Sequence, residues 1–365
     1  MAFQNSRDKC NAIAIVSIIA LFCAAPFLLS KGSTLELNQP LMYKKNYIAD
    51  VQPDHTFRNQ TIWADVSHSP KPIHLQNILP NAYLHPDPTR PYNESVLVFL
   101  HNPKSGGTTV KTCMVKMSQA EGDDRRPTLV AGPRAIDVPN ELINGAVSVN
   151  KYYMGTSAFG MCRFVGGRAC SYFTMVREPY DRVVSHYYFC RSGGPTPMSC
   201  DGTLEDFARH TCNLIFFQMI HRYLCRHEIP GVDASPWRCR DVGGGLHTVE
   251  QRGRQLDYIL ENMDKIFAVV GITEEFETSL RLLENTFGRP FHSMCHADHA
   301  NTGTYEQDEA KANEKGERLR VHAEAKERLV KNEELRKCFH EDIIIYNKMK
   351  EIFEKQKKSF FGAGL

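Results

Sequence analysis

Three short apolar runs constrain the fold of this chain most, because a helical pattern follows each of them. The runs are Val96–Leu100, Tyr172–Val176 and Lys265–Gly271. The helices are expected at Thr108–Met117, Asp181–Cys190 and Thr273–Phe287. A run of this length without polar alternation is typical of a strand buried on both faces of a parallel sheet. The alternation therefore predicts an α/β domain, with a mainly parallel sheet flanked by helices.

Three further stretches carry helical patterns. One helix is expected over Thr203–Leu224, with Thr203 or Asp201 as its N-cap. The charged stretch Tyr305–Lys331 has few large apolar residues, which indicates a solvated helix or a mobile segment. An apolar stripe over Glu333–Phe360 predicts a closing helix that docks on the body.

The N-terminal region contains an uncharged apolar stretch, Ala12–Leu29, which is just long enough to cross a hydrocarbon core of about 30 Å. Arg7 and Lys9 precede it, so the positive-inside rule places the short N-terminus in the cytoplasm and the body in the lumen. A cleaved signal peptide is the alternative. The expected organisation is a cytoplasmic tail, a signal-anchor transmembrane helix, a lumenal stem and a catalytic body, at residues 1–11, 12–29, 30–93 and 94–360.

Cysteines and sequons also indicate the secretory pathway. The chain has 12 cysteines, of which Cys10 and Cys23 lie in or beside the apolar stretch, and no C-x-x-C pair occurs. Disulfides are therefore favoured over zinc ribbons or thioredoxin chemistry. A locally linked region is expected at the densest cluster, which comprises Cys190, Cys200, Cys212, Cys225 and Cys239. Asn59 and Asn93 begin N-x-[ST] glycosylation sequons.

The segment that follows the first apolar run reads HNPKSGGTT and has the composition of an anion-binding turn. Gly106 and Gly107 allow a tight turn in which successive N–H groups face one anion. The helix expected from Thr108 adds the positive end of its dipole, and Lys104 adds a mobile positive charge. An ordinary strand–helix turn with a surface lysine is the alternative. Neither a Walker A loop nor a G-x-G-x-x-G fingerprint is present, which argues against an ATPase or a dehydrogenase.

The second apolar run leads into Arg177, which opens the segment REPYDRVVS. An arginine at the end of a strand can bind a phosphate through two parallel hydrogen bonds. Ser185, at the end of the same segment and inside the next helix, can reach the same anion. The alternative is a capping arginine that pairs with Glu178 or Asp181.

Together the two segments resemble the nucleotide sites of sulfotransferases that use 3′-phosphoadenosine 5′-phosphosulfate (PAPS). FLHNPKSGGTT at 99–109 is similar to the loop of the heparan sulfate 6-O-sulfotransferases. VREPYDRVVSHYY at 176–188 and VVGITEEFE at 269–277 are similar to the heparan sulfate 2-O and uronyl 2-O enzymes. The resemblance implies a P-loop-like PAPS sulfotransferase fold, a single-pass type II protein of the Golgi membrane, and transfer of a sulfuryl group to a glycan hydroxyl.

The resemblance also assigns roles to the residues of the two segments. The 5′-phosphosulfate is assigned to Lys104, Ser105, Gly106, Gly107, Thr108 and Thr109. The 3′-phosphate is assigned to Arg177 and Ser185, and an otherwise unpaired arginine would then distinguish PAPS from ATP. Lys104 is expected to stabilise the charge that develops on the bridging oxygen. No metal is expected, since the family does not use one for the transfer.

The general base is the weak point of the resemblance. Related enzymes place a histidine in a stretch similar to YMGTSAFG at 153–160, where this chain has Thr156 and Ser157. His101, beside Lys104, is expected to serve as the base; the alternative is that it only hydrogen-bonds the loop. The gap also motivates a second hypothesis, a catalytically inactive protein of this fold that binds nucleotide or glycan. A kinase-like enzyme has less support, because the Walker lysine and magnesium-binding acids are missing.

The remaining expectations concern metals and partners. A pattern H-x-x-C-H-x-x-H is formed by His292, Cys295, His296 and His299. In an oxidising lumen Cys295 is expected to form a disulfide instead of a zinc bond. The expected partners are a glycan or proteoglycan acceptor and the Golgi membrane, and homo-oligomers are left open. The net charge of +2 gives no overall field that would recruit nucleic acid.

Overall fold

The structure is a computed structural model that describes residues 77–122, 126–132, 134–194, 199–220, 249–295 and 309–362. The strands are β1 (Val96–His101), β2 (Thr128–Leu129), β3 (Tyr152–Gly155), β4 (Cys170–Val176) and β5 (Phe267–Ile272). The first α-helices are α1 (Gly107–Ala120), α2 (Arg134–Ile143), α3 (Pro179–Arg191), α4 (Leu204–Thr211), α5 (Leu214–Ile220) and α6 (Val249–Ile266). They are followed by α7 (Phe276–Phe287), α8 (Phe291–Cys295), α9 (Glu309–Lys331), α10 (Glu333–Cys338) and α11 (His340–Gly362).

The described strands form one parallel sheet in the order β2-β3-β1-β4-β5. The register of the central pair aligns Leu100 of β1 with Thr174 of β4, and His101 with Met175. Since parallel strands end at the same edge of a sheet, the segments that follow β1 and β4 lie side by side. The prediction of an α/β domain with a parallel sheet flanked by helices is confirmed.

A cluster of aromatic side chains fixes the two central strands against the helices that follow β5. Phe99 of β1 stacks on Phe173 of β4 with ring centroids 5.1 Å apart. Phe173 also contacts Phe287 and Phe291, at 5.5 and 5.6 Å. All four side chains are fully buried, and burying each contributes roughly 1.5–3 kcal/mol to stability. The aromatic residues of β1 and β4 therefore anchor the central strands against α7 and α8.

Local sequence does not reveal β2, β3 and α2, each for an identifiable reason, and α6 and α8 were not predicted either. Strands of two and four residues are too short to show a period. At the end of β3, Gly155 has a φ of 155° and a side chain there would lie 2.1 Å from the Val130 carbonyl oxygen, so the close approach requires glycine. Helix α2 contains Pro139, which interrupts a helical pattern.

The single helix predicted over Thr203–Leu224 is wrong. Thr203 does cap a helix, through a capping box with Asp206, but α4 ends at Thr211 and α5 begins at Leu214. Between them Asn213 has a φ of 56°, in the left-handed region that ends a helix. Its side-chain oxygen accepts from the backbone N–H of Asp342 at 3.1 Å. The break thus depends on a contact with α11, which the local sequence does not show.

The C-terminal part of the described chain is helical, as expected, but it forms three helices, α9, α10 and α11. The charged stretch forms α9, whose Ala325 and Leu329 are buried against α3 and α4, so this helix is part of the body. The predicted closing helix is two helices, α10 and α11, which meet at the buried Phe339. The stripe of apolar residues is therefore buried as expected, although it is divided between two helices.

The described chain begins inside the segment predicted as the stem. Ile78 forms a parallel bridge with Cys170, and the fully buried Asn81 donates to Gln356 Oε1 of α11 at 2.6 Å. Residues 77–93 therefore pack on the body. The predicted cytoplasmic tail, signal anchor and the stem up to residue 76 lie outside the described residues. Among the described helices, none is long and apolar enough to span a bilayer.

Disulfides connect the described cysteines in pairs. They are Cys113–Cys295, Cys162–Cys170, Cys190–Cys200 and Cys212–Cys338. The expected disulfide of Cys295 is confirmed, and the described residues contain no cluster of His, Cys, Asp and Glu suited to a metal. Of the predicted local cluster, Cys190–Cys200 is local and Cys212 pairs across 126 residues. Cys225, Cys239, His296 and His299 lie outside the described residues.

Candidate active site

The turn after β1 contains a set of backbone donors without acceptors. Lys104 has a φ of 67° and Gly106 a φ of 73°, so the chain reverses direction before α1 begins at Gly107. Within the described residues no backbone carbonyl accepts from the N–H groups of Gly106, Gly107, Thr108 and Thr109. Consecutive unused N–H groups at a helix N-terminus favour an anion.

A buried hydroxyl adds to this set of donors. Ser105 is fully buried, and its Oγ has no hydrogen-bond partner in the described part of the chain. Such an atom costs about 1–3 kcal/mol unless it gains a partner. The neighbouring Asn102 holds the turn on the sheet, because its Nδ2 donates to Thr174 Oγ1 at 2.9 Å and to the Met175 carbonyl at 3.0 Å. The turn is therefore held on the sheet by Asn102 and presents several donors that no acceptor of the described residues uses.

Lys104 joins the two predicted segments. Its Nζ lies 3.8 Å from the centroid of the Phe189 ring on α3, a cation–π contact. Burial, followed by the positive charge of Arg177, lowers the pKa of Lys104. The turn after β1 and the segment after β4 are thus close enough for their cations to repel each other, which an anion between them would relieve.

Ser185 lies on the same face of α3 as Phe189. Residues four apart on a helix are neighbours on one face, and Phe189 is the residue that meets Lys104. Ser185 therefore lies on the side of α3 that faces the turn after β1, one helical turn closer to Arg177. Its half-buried side chain is compatible with contact to a bound group.

Arg177 does not pair with the carboxylates beside it. Glu178 instead caps α3, accepting from the N–H of Asp181 at 2.8 Å. Both carboxylates bind Lys326 of α9, at 3.0 Å for Glu178 and 2.7 Å for Asp181. The structure thus excludes the alternative of a capping arginine paired with Glu178 or Asp181. Among the described residues, Arg177 has neither a hydrogen-bond nor an ion-pair partner.

The segment after β5 supports both turns. Thr273 Oγ1 donates to the Val176 carbonyl at 3.0 Å, and Glu274 Oε1 accepts from the Glu178 N–H at 2.9 Å. The ring of Phe276 packs against Gly106, where an added Cβ would lie 2.5 Å from it. The third segment of the resemblance, VVGITEEFE, therefore positions the other two.

His101 is packed beneath the start of α1. A side chain at Gly107 would meet the imidazole at 2.0 Å, so the ring occupies the space that this glycine leaves open. Burial, followed by the charge of Lys111, lowers the pKa of His101 to about 3. The ring is therefore neutral at pH 7, and it retains an unprotonated nitrogen.

The stretch after β3 lies at the same sheet edge. Ser157 is buried, and its N–H donates to the Val130 carbonyl at 3.1 Å. Since β3 is next to β1, Thr156 and Ser157 follow the strand that adjoins the one carrying His101. The location is the one that the resemblance gives for a catalytic histidine, with hydroxyl side chains in its place.

The region that contains all three segments matches a known protein family. Residues 92–349 match the model of the sulfotransferase family, which is more than half of the chain. This chain belongs to the sulfotransferase family. Family membership supports sulfuryl transfer in general, and sulfotransferases generally use PAPS. No curated protein matches the chain.

The second arginine of the sulfotransferase segment REPYDRVVS has a structural position. Arg182 is fully buried, and its Nη2 donates to the Thr211 carbonyl at 2.9 Å. The same nitrogen lies 3.6 Å from Oδ2 of the fully buried Asp342. Burial lowers the pKa of Arg182, and burial raises the pKa of Asp342 to about 6. Arg182 therefore connects α3 to α11 beneath the site and does not line it.

Several residues that shape the candidate site were not predicted from the sequence. They are Asn102, Phe189, Phe276 and Lys326. A polar residue directly after an apolar strand was the available signal for Asn102; Lys326 lies 145 residues from Asp181 in sequence, and no local pattern indicates that contact. Of the predicted glycosylation sites, Asn93 is exposed and Asn59 lies outside the described residues.

Proposed function

We propose that this chain transfers the sulfuryl group of PAPS to a hydroxyl of a glycan. The observation that carries the proposal is the donor-rich turn after β1, placed beside an arginine that no carboxylate of the described residues neutralises. A P-loop NTPase site would need a Walker A loop, in which the lysine follows the glycines, whereas in this turn the lysine precedes them.

The two halves of the site suit the two ends of the donor. The N–H groups from Gly106 to Thr109, together with the Ser105 hydroxyl, would hold the 5′-phosphosulfate. Arg177 and Ser185 would hold the 3′-phosphate, with the guanidinium able to donate two parallel hydrogen bonds. When bound, PAPS supplies an activated sulfuryl group to the acceptor. The chain's part is to hold and orient charged groups, which dominates catalysis in transfers of this kind.

Lys104 and His101 are the proposed catalytic residues. Lys104 places a cation at the turn, where negative charge develops during transfer, and its cation–π contact with Phe189 restricts its position. His101 is neutral, so its imidazole can take the proton of an acceptor hydroxyl. A pKa of about 3 makes it a weak base, and because its Cδ2–Nε2 edge packs against Gly107, the hydroxyl would have to reach the ring from another side.

The cellular setting completes the proposal. We infer a Golgi-membrane protein of type II, whose catalytic body lies in the lumen. The uncharged stretch 12–29, the two sequons and the disulfides support this setting. The acceptor is a glycosaminoglycan-like chain on a proteoglycan, as the similarity to heparan sulfate enzymes suggests.

A transfer assay tests the proposal. The full chain is incubated with labelled PAPS and a panel of desulfated heparan, chondroitin and dermatan. We expect label in at least one polymer, and a loss of at least about 100-fold in Lys104→Ala and Arg177→Ala. Lys337→Ala, an exposed lysine on α10, is the control that should retain turnover. Full activity in both site variants would refute the assignment.

A second candidate function is binding without transfer. The absence of histidine at Thr156 and Ser157, together with the burial of His101, favours it. Calorimetry with adenosine 3′,5′-bisphosphate, run beside the transfer assay, separates the two candidates. Binding without label in any acceptor would support the inactive protein.

If His101 is the base, His101→Gln should lose transfer by about 10²–10⁴-fold while nucleotide affinity changes little.

A further inference from the structure

Two carboxylates lie next to the arginine that the proposed function assigns to a phosphate. Glu178 follows Arg177 directly, and Asp181 occupies the first turn of α3. Left alone, such acids would pair with the arginine or repel a phosphate bound to it. The site therefore needs a positive charge that neutralises Glu178 and Asp181.

Lys326 of α9 meets that need. Its Nζ lies 3.0 Å from Glu178 Oε2 and 2.7 Å from Asp181 Oδ2, and one ammonium thus bridges both acids. Burial lowers the pKa of Lys326, but the hydrogen bonds with Asp181 and Glu178 outweigh it and leave the pKa raised. The lysine is consequently held in its charged form by the groups that it neutralises.

The arrangement also fixes the direction of the two carboxylates. Glu178 uses the oxygen that contacts Lys326 to cap α3, so it stays with the helix. Asp181 is further approached by His322, whose Nδ1 lies 3.7 Å from Oδ1. Arg177 is left outside this cluster, near enough to His322 that its charge, after burial, helps lower the pKa of that imidazole.

We propose that Lys326 is a positioning residue, which neutralises Glu178 and Asp181 so that Arg177 remains available to the 3′-phosphate of the nucleotide. This inference rests on the proposed function. It makes α9, which the sequence presents as a charged surface helix, a determinant of the choice between nucleotides with and without a 3′-phosphate. Lys326 does not need to touch the nucleotide for this role.

Calorimetry on the full chain tests the role, with adenosine 3′,5′-bisphosphate and AMP as ligands. Lys326→Met should weaken binding of the bisphosphate by about tenfold, since two uncompensated acids then compete for Arg177. Its affinity for AMP, which lacks the 3′-phosphate, should stay within about twofold. Lys331→Met is the matched control, because it removes the same charge from the same helix at an exposed pair with Glu327.

A double variant separates charge balance from folding. Lys326→Met combined with Asp181→Asn removes one of the acids together with the lysine, and should recover much of the lost affinity for the bisphosphate. Thermal unfolding of each variant checks that the body is intact.

The possible outcomes are distinguishable. If the unaltered chain gives no heat with the bisphosphate, the proposed function fails and the role of Lys326 fails with it. If the unaltered chain binds and Lys326→Met binds equally well, only the inference is overturned. Equal weakening toward both nucleotides, or no recovery in the double variant, would also overturn it.

Discussion

Gly106 has both a backbone and a packing reason to be glycine. Its φ of 73° lies in the left-handed region, and a Cβ would lie 2.5 Å from the Phe276 ring. The turn that presents the unused N–H groups therefore depends on the absence of one side chain. The sequence indicated this position through the pair of adjacent glycines, but it did not indicate the aromatic ring that closes the space.

Gly106→Ala should reduce the free energy of nucleotide binding more than it reduces the free energy of unfolding. The left-handed backbone costs about 1 kcal/mol for alanine, and displacement of Phe276 moves the turn itself. We expect the affinity for adenosine 3′,5′-bisphosphate to fall at least about tenfold, measured by calorimetry. Gly122→Ala is the control, with a φ of 69° and open space around it. It should show the backbone cost in thermal unfolding and keep its affinity.

His101 should make the fold sensitive to acid. Its pKa is about 3 in the folded chain against an unfolded value near 6.5. The unfolded chain therefore binds the proton first, so the stabilisation is complete above pH 6.5 and is lost as pH falls toward 3. Between pH 7 and pH 5 the unaltered chain should lose about 2 kcal/mol more stability than His101→Gln, measured by chemical denaturation. Parallel pH curves for the two proteins would contradict the assigned burial.

At the scale of elements, the long buried strands and their helices were predictable and the short or divided ones were not. β1, β4 and β5 carry continuous apolar runs, which local sequence reveals. The division between α4 and α5 depends on Asn213, whose partners lie on α11. Likewise, the chemistry of the residues indicated the candidate site on the turn after β1 and the segment after β4, and their roles stay predictions. The support of these segments by α7 and α9 required the three-dimensional contacts.

The Thr273 hydroxyl, in the segment between β5 and α7, should support the site. Thr273→Val keeps the shape of the side chain and removes its donation to the Val176 carbonyl. We expect a loss of about 1 kcal/mol in unfolding free energy, with a severalfold loss of affinity for the bisphosphate. Thr203→Val, which removes the cap of α4, should cost a similar amount of stability, about 1 kcal/mol, and leave affinity unchanged. Equal affinity in both variants would contradict the supporting role.

At the scale of the molecule, α10 and α11 are bonded to parts of the body that lie far from them in sequence. Cys338 bonds Cys212 across 126 residues. Asp342 accepts from the Phe216 N–H at 2.9 Å and faces the buried Arg182. Asn81, near the start of the described chain, is bound by Gln356. The C-terminal helices therefore join parts of the fold that are distant in sequence.

The two disulfides near α4 should differ in their effect on stability. Cys190–Cys200 closes a loop with a separation of 10 residues and Cys212–Cys338 one of 126. In the chain-entropy model, losing the longer link costs about 2 kcal/mol more. Denaturation of Cys212→Ser/Cys338→Ser and Cys190→Ser/Cys200→Ser measures the difference. An equal or larger loss for the short link would show that strain or local structure dominates.

The buried contact between Arg182 and Asp342 has a consequence for synthesis of the chain. During synthesis the Arg182 guanidinium leaves the ribosome long before the Asp342 carboxylate. An unpaired charge of this kind costs several kcal/mol in a protein interior. The body therefore cannot complete its native packing until α11 emerges. A premature stop codon anywhere between the two positions should yield a product that cellular quality control removes.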